Sequence, residues 1–174
     1  MSDKTSAPAG GLKTVIVGAG MAGILAAIKL KQRGEDFVVL EKAARIGGTW
    51  RENRYPGLTC DVPAHAYTYS FEPYAEWPAY YAKGPEIQAY FEMVTDKYGI
   101  RPHIRFNAEV TALDWDEAAS QWTVRVAGGD AIVADVVVAA SGVLHHPKLP
   151  DIAGLDSFAG TKVHSAQWRE DTPI

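Results

Sequence analysis

Only one cysteine, Cys60, occurs in the 174 residues, which leaves no disulfide within the chain and fits a reducing compartment. The cytoplasm is the expected address. Long apolar runs are missing too: no stretch approaches the roughly eighteen apolar residues of a membrane span. The first eleven residues, MSDKTSAPAGG, lack the apolar segment of a secretory leader and read as a flexible tail. A basic excess is also lacking. The 17 Lys and Arg are interspersed with 21 Asp and Glu, a net charge of −4, which excludes the cationic footprint of a nucleic-acid binder. Internal repeats and low-complexity segments do not occur. What remains is a chain with 47% hydrophobic residues, the composition of a globular domain with a sizeable core.

The ordered part is expected to begin with LKTVIVG (Leu12 to Gly18), a β-branched run that reads as a strand buried on both faces. GAGMAG follows, then ILAAIKLKQRG, with apolar residues at helical spacing and Gly34 placed to stop the helix. DFVVLE reads as a second buried strand. Strand, glycine turn, helix and strand in that order make a βαβ unit with a parallel crossover. Residues 43 to 83 are expected to be an irregular binding loop, with Pro56, Pro63, Pro73 and Pro78 among aromatics. GPEIQAYFEMVTDKYG then carries Pro85 in its first turn, Ile87, Phe91, Val94 and Tyr98 on one face, and Gly99 at its end, which predicts an amphipathic helix. AEVTALDWD and QWTVRVAG alternate apolar and polar residues around EAAS, as a half-exposed hairpin does. AIVADVVVAASG ends in the apolar run Val136 to Ala140 and is expected to rejoin the buried parallel sheet. From His145 onward the chain reads as a surface connector.

Gly18, Gly20 and Gly23 fit G-x-G-x-x-G, with Met21 and Ala22 between the last two. The pattern follows a strand and opens a helix, so a pyrophosphate could approach the backbone at the positive end of the helix dipole. Glu41, with Lys42 after it, stands eighteen residues beyond Gly23 at the end of the second strand. A carboxylate there accepts hydrogen bonds from a ribose diol and repels a 2′-phosphate, so FAD or NAD is expected and NADP disfavoured. The adjacent His145 and His146 do not point to one metal ion, and no second ligand cluster is in view. No metal is expected. Cys60 reads as a small buried hydrophobe. The aromatics of YTYSFEPYAEW and AYY read as a hydrophobic cap on the loop.

The loop GGTWRENRYPGLTCD (Gly47 to Asp61) supplies further glycine next to Trp50 and Tyr55, side chains able to wall an isoalloxazine ring. Taken together, GAGMAG, Glu41, GGTW and RYPGLTCDVPAHAYTYSFEP resemble the class B flavin monooxygenases, most of all the Baeyer–Villiger monooxygenases. FAGTKVHSAQW matches the latter's fingerprint F-x-G-x-x-x-H-x-x-x-W at Phe158, Gly160, His164 and Trp168. The fingerprint continues with Pro or Asp, and Arg169 stands here instead, as a basic residue does in N-oxygenating relatives.

The resemblance covers Leu12 to Trp168 and implies the first third of such an enzyme. The implied fold is α/β: a Rossmann-like FAD-binding domain with a parallel sheet and an antiparallel hairpin or meander, incomplete relative to the family. Residues 12–144 are its expected N-terminal segment, and residues 145–174 a connector leading to an NADPH domain absent from this chain. The implied chemistry is a bound FAD, reduced by NADPH, that uses O2 to insert oxygen beside the carbonyl of a small-molecule ketone. Asp61 matches a catalytic aspartate near the flavin, and His164 a histidine acting in domain motion. Gly48, Thr49, Tyr67 and Val110 correspond to positions near the cofactor, and Ser141 and Gly142 to the turn that ends the segment. Two further readings stand beside this one: a FAD-binding module without oxygenase activity, and part of an N- or S-oxygenating enzyme. Any macromolecular partner is expected to be the remainder of the enzyme.

Overall fold

Thr14–Val17 (TVIV) form β1, a strand whose β-branched side chains favour the extended chain and whose first three residues are buried. The structure is a computed structural model that describes residues 13–144, 146–169 and 171–173. Leu12, the proposed tail and His145 lie outside the described residues. After β1 come α1 (Met21–Arg33), β2 (Phe37–Leu40), α2 (Thr49–Glu52), α3 (Gly84–Lys97), β3 (Ile104–Arg105), β4 (Val110–Asp116), β5 (Gln121–Val126), β6 (Ile132–Ala134) and β7 (Val136–Ala139). Single 3-10 turns occupy Ala64–Ala66, Arg101–His103 and Ser165–Gln167.

Two units divide the chain: Met1–Ile46 with Thr95–Ser141, and Gly47–Val94 with Gly142–Ile174. The first holds a parallel sheet in the order β3-β2-β1-β7 and an antiparallel sheet in the order β4-β5-β6. Thr14 pairs with Phe37 on one side and Val136 on the other, so β1 is flanked by parallel neighbours. Helix α1 buries Gly23, Ile24, Ala27 and Ile28, and ends where expected. Gly34 adopts φ +73°, a left-handed conformation that a residue without a Cβ enters at little cost, and its N–H reaches the carbonyls of Leu30 and Lys31.

The expected hairpin forms between β4 and β5, with Trp115 opposite Trp122. The carboxylate of Asp116 accepts from the N–H groups of Ala118 and Ala119 and so turns the chain into the loop. A core of Val15, Leu40, Ala108, Val124, Ile132 and Ala134 joins residues of both sheets.

The run 131–142 departs from expectation. Only β7 joins the parallel sheet, whereas β6 pairs with β5 in the antiparallel one. The division falls on Asp135. Its N–H donates to the Lys13 carbonyl, while its Oδ2 accepts from the Lys13 N–H at 2.8 Å and its Oδ1 from Gln121 Nε2 at 3.1 Å. These bonds hold the chain at one residue between two sheets. Nor is β7 buried throughout: Val136 is 37% exposed, because β7 ends the order of strands.

In the second unit the loop is not wholly irregular, since Thr49–Glu52 close one helical turn. The aromatic cap forms in part. Tyr69 and Trp77 are buried and lie against Tyr90 of α3, whereas Tyr80 and Tyr81 are exposed and meet each other edge-on. Helix α3 contributes Ile87, Phe91 and Val94, all fully buried. The segment after β7 keeps its apolar side chains in solvent, with Val143 91% exposed and Leu144 67%.

Candidate dinucleotide site

The first unit shapes the glycine turn by close approach. Gly18 has φ +102°, and a Cβ there would lie 2.6 Å from the Ala140 carbonyl oxygen and 3.5 Å from the Ser141 Cα. A Cβ on Gly23 would fall on the Gly18 carbonyl oxygen. Both glycines are therefore demanded by backbone packing: Gly18 against the end of β7, Gly23 against the turn itself. Gly20 is the N-cap of α1 and has no side chain to cap it, and the first turn of α1 holds no acidic residue. The partial positive charge at this helix end is thus not neutralised from within the helix. Gly23 is buried there, Met21 is half-buried, and Ala22 is exposed.

Glu41 follows β2 and is 6% exposed. Its Oε2 accepts from the Ala19 N–H at 2.7 Å, inside the glycine turn, and its Oε1 accepts from the Ala43 N–H at 2.9 Å. The main chain beyond is fixed as well: the Glu41 carbonyl accepts from Ala108 N–H and the Ala43 carbonyl from Asn107 N–H. Asn107 sits at φ +53°, a conformation asparagine tolerates better than most side chains. Nothing in the sequence analysis singled it out, although an asparagine just after a β-strand is the available signal. Lys42 is exposed beside the carboxylate, and Val110 is half-buried at the start of β4, next to a register shift.

Within the second unit, Gly47 (φ +122°) begins the turn that becomes α2, and a Cβ there would crowd Arg51 Cβ and Gln88 Cγ at 3.1 Å each. The positive φ and this crowding together disfavour any side chain here. Gly48 caps α2, and Thr49 and Trp50 form its start. Trp50 Nε1–H donates to the Tyr67 hydroxyl at 3.0 Å with the rings edge-to-face, which brings two of the expected cofactor residues together. Burial pushes the Tyr67 hydroxyl above the usual tyrosine range, the Trp50 hydrogen bond opposes this, and the nearby Cys60 and Asp61 add to it. Asp61 is exposed, and the Cys60 thiol is buried beside it. Tyr55 is half-buried and no ring contact joins it to Trp50.

The fingerprint residues lie in the same unit. A Cβ on Gly160 would lie 2.5 Å from Phe158 Cζ, so the ring packs over the glycine and would have to swing aside for any side chain there. His164 caps the 3-10 turn Ser165–Gln167 by accepting the Ala166 N–H at its Nδ1, and Trp168 closes that turn. Arg169 is exposed, and its N–H donates to Thr172 Oγ1. Gly142 has φ +73° just past Ser141.

A parallel sheet, a glycine turn opening an uncapped helix and a buried acid at the end of the next strand form a Rossmann-type arrangement, the architecture on which dinucleotide sites are built. Residues 16–83 match the family described as NAD(P)-binding Rossmann-like domain. Over nearly its whole length the chain is similar to the N-terminal portion of Baeyer–Villiger monooxygenases. It is 47% identical over 161 residues to a Baeyer–Villiger monooxygenase of Streptomyces coelicolor, covering 92% of this chain and 31% of that protein. Among solved structures, an oxidized steroid monooxygenase bound to NADP superposes with a TM-score of 0.82 at 41% identity, over 94% of this chain and 32% of that one. An OTEMO complex with FAD and NADP gives 0.83 at 35% identity, over 95% and 32%. The chain thus spans about a third of the length of these relatives.

Proposed function

We propose that this chain is the N-terminal FAD-binding part of a flavin-dependent monooxygenase of Baeyer–Villiger type. The observation that carries the reading is Glu41. A carboxylate can accept about four hydrogen bonds, and backbone N–H groups take two here. The remaining capacity, next to the uncapped end of α1, suits the two hydroxyls of an adenosine ribose. Gly18, Gly20, Met21, Ala22, Gly23, Lys42, Val110, Ser141 and Gly142 are the other proposed contacts of the adenosine and pyrophosphate portion. The resemblance assigns flavin contacts to Gly48, Thr49, Trp50, Tyr55, Asp61 and Tyr67. When bound, FAD reduced by NADPH would supply the two electrons with which O2 is cleaved, one oxygen atom entering beside a ketone carbonyl and the other leaving as water.

In this reading the chain's own residues bind and orient. The end of α1 would hold the phosphates and Glu41 the sugar, and the Trp50 indole fixes the Tyr67 hydroxyl by donating to it. Asp61 is the proposed catalytic residue, its charge positioning groups at the flavin. Phe158, Gly160, His164 and Trp168 form the fingerprint segment, with His164 acting through the turn it caps. Turnover needs the NADPH-binding and catalytic segments that correspond to the part of the relatives this chain does not span. A cytoplasmic location accords with a single free, buried cysteine and with the lack, among the described residues, of any helix long and apolar enough to cross a membrane.

The test is to purify the chain, add FAD, remove the excess and record the visible spectrum, then add NADPH and a cyclic ketone in air. Retained yellow flavin that NADPH does not bleach is the expected result. Failure to retain FAD refutes the binding assignment, and lactone formation by this chain alone refutes the requirement for further segments.

A further inference from the structure

We propose that Glu41 is also a positioning residue, which builds the glycine turn before any nucleotide arrives. The nucleotide's identity rests on the reading above, but the geometry behind this second role lies in the protein alone. The turn is stitched to the end of β2 at two successive residues: Gly18 N–H donates to the Leu40 carbonyl at 2.8 Å, and Ala19 N–H to Glu41 Oε2 at 2.7 Å. Ala19 itself is fully buried, so its N–H has no access to water as an alternative acceptor. The other carboxylate oxygen reaches the Ala43 N–H, on the stretch whose carbonyl is tied to the left-handed Asn107. One side chain thus joins the turn before α1 to the chain leaving β2.

This role explains why an acid, and a long one, is required even without a sugar. Glutamine offers one oxygen and one NH2 group, so whichever way its amide turns, a donor faces either Ala19 N–H or Ala43 N–H. Aspartate carries the same carboxylate on a side chain one methylene shorter, so from the same backbone position its reach toward the Ala19 N–H is reduced. The conformation that receives the pyrophosphate is accordingly part of the folded protein, and binding need not order it.

Two measurements on the 174-residue chain without nucleotide decide the matter. Hydrogen exchange in the wild type should show the Ala19 amide protected to an extent typical of the neighbouring sheet; exchange at the rate of a free loop amide overturns the proposal. Glu41→Gln should raise the unfolding equilibrium constant by about tenfold or more, as expected for removing a charged hydrogen bond to a buried donor. If the variant does not fold, the wild-type exchange result alone decides. An apo variant as stable as the wild type, losing only FAD affinity, overturns the proposal and leaves Glu41 a ligand contact. Should the wild type protect Ala19 yet not bind FAD, the positioning role stands and the flavin assignment falls.

Discussion

Gly23→Ala sets two opposed effects against each other. On an exposed helix surface, replacing glycine by alanine stabilises by about 1 kcal/mol, because alanine loses less backbone freedom. At Gly23 the new Cβ lands on the Gly18 carbonyl oxygen and 3.0 Å from its carbon. That carbonyl belongs to a turn held on both sides, by the bond from Gly18 N–H to Leu40 and by the approach of Ala140. Relief requires α1 to move on the order of 1 Å, enough to restore ordinary van der Waals separation. Such a shift pulls Ile24, Ala27 and Ile28 out of close packing. Overpacking of this kind costs about 1–3 kcal/mol, and the cost rises where backbone must yield. The expected net loss is about 2 kcal/mol, which lowers a urea midpoint by about 1 M for a small domain. Circular dichroism during urea unfolding measures it, and FAD retention should fall in parallel. Gly129→Ala is the control, since its Cβ would meet nothing closer than Val126 Cγ1 at 3.9 Å, and little change is expected. A Gly23→Ala chain as stable as the wild type would refute the steric account and leave helix propensity as the dominant effect.

Other outcomes follow from titrating groups. Burial first, then the charges of Tyr90 and Tyr67, push the Tyr69 hydroxyl well above the ordinary tyrosine range. The resulting stabilisation is complete below about pH 10, where an unfolded tyrosine ionises, and declines as pH rises further. Denaturant midpoints across that range should fall, and Tyr69→Phe should flatten the decline; an unchanged slope would count against burial of the hydroxyl. Asp135 shifts the other way: hydrogen bonds from Lys13 N–H and then Gln121 hold its carboxyl below the usual range. Its stabilisation is present above about pH 4 and is lost as pH falls. Asp135→Ala should remove that acid-dependent component, and melting curves that keep the same pH dependence would contradict it.

The elements carried by a strong period were legible before any coordinates. Helix α1 follows from its apolar spacing and closing glycine, β2 from its continuous apolar run, and the hairpin from alternation around EAAS. Two-residue β3 and one-turn α2 are too short to establish a period. The split of 131–142 was hidden because one aspartate between two apolar stretches looks the same in sequence whether the chain continues or changes sheet. At the candidate site, the position of Glu41 could be read but not its partners, since bonds to the backbone N–H groups of two alanines leave no mark on residue type. The fingerprint was visible as spacing. That its glycine lies under the phenylalanine ring required coordinates.

The junction at Asp135 has a practical consequence for anyone altering this chain. Most connections absorb an extra residue by bulging into solvent, but here a single position separates strands of two sheets, each in fixed register. An insertion would offset one sheet by half a pleat relative to the other and invert which side chains face inward. Tags, cleavage sites or circular permutations belong elsewhere, for example in the EAAS hairpin loop, whose residues are all exposed.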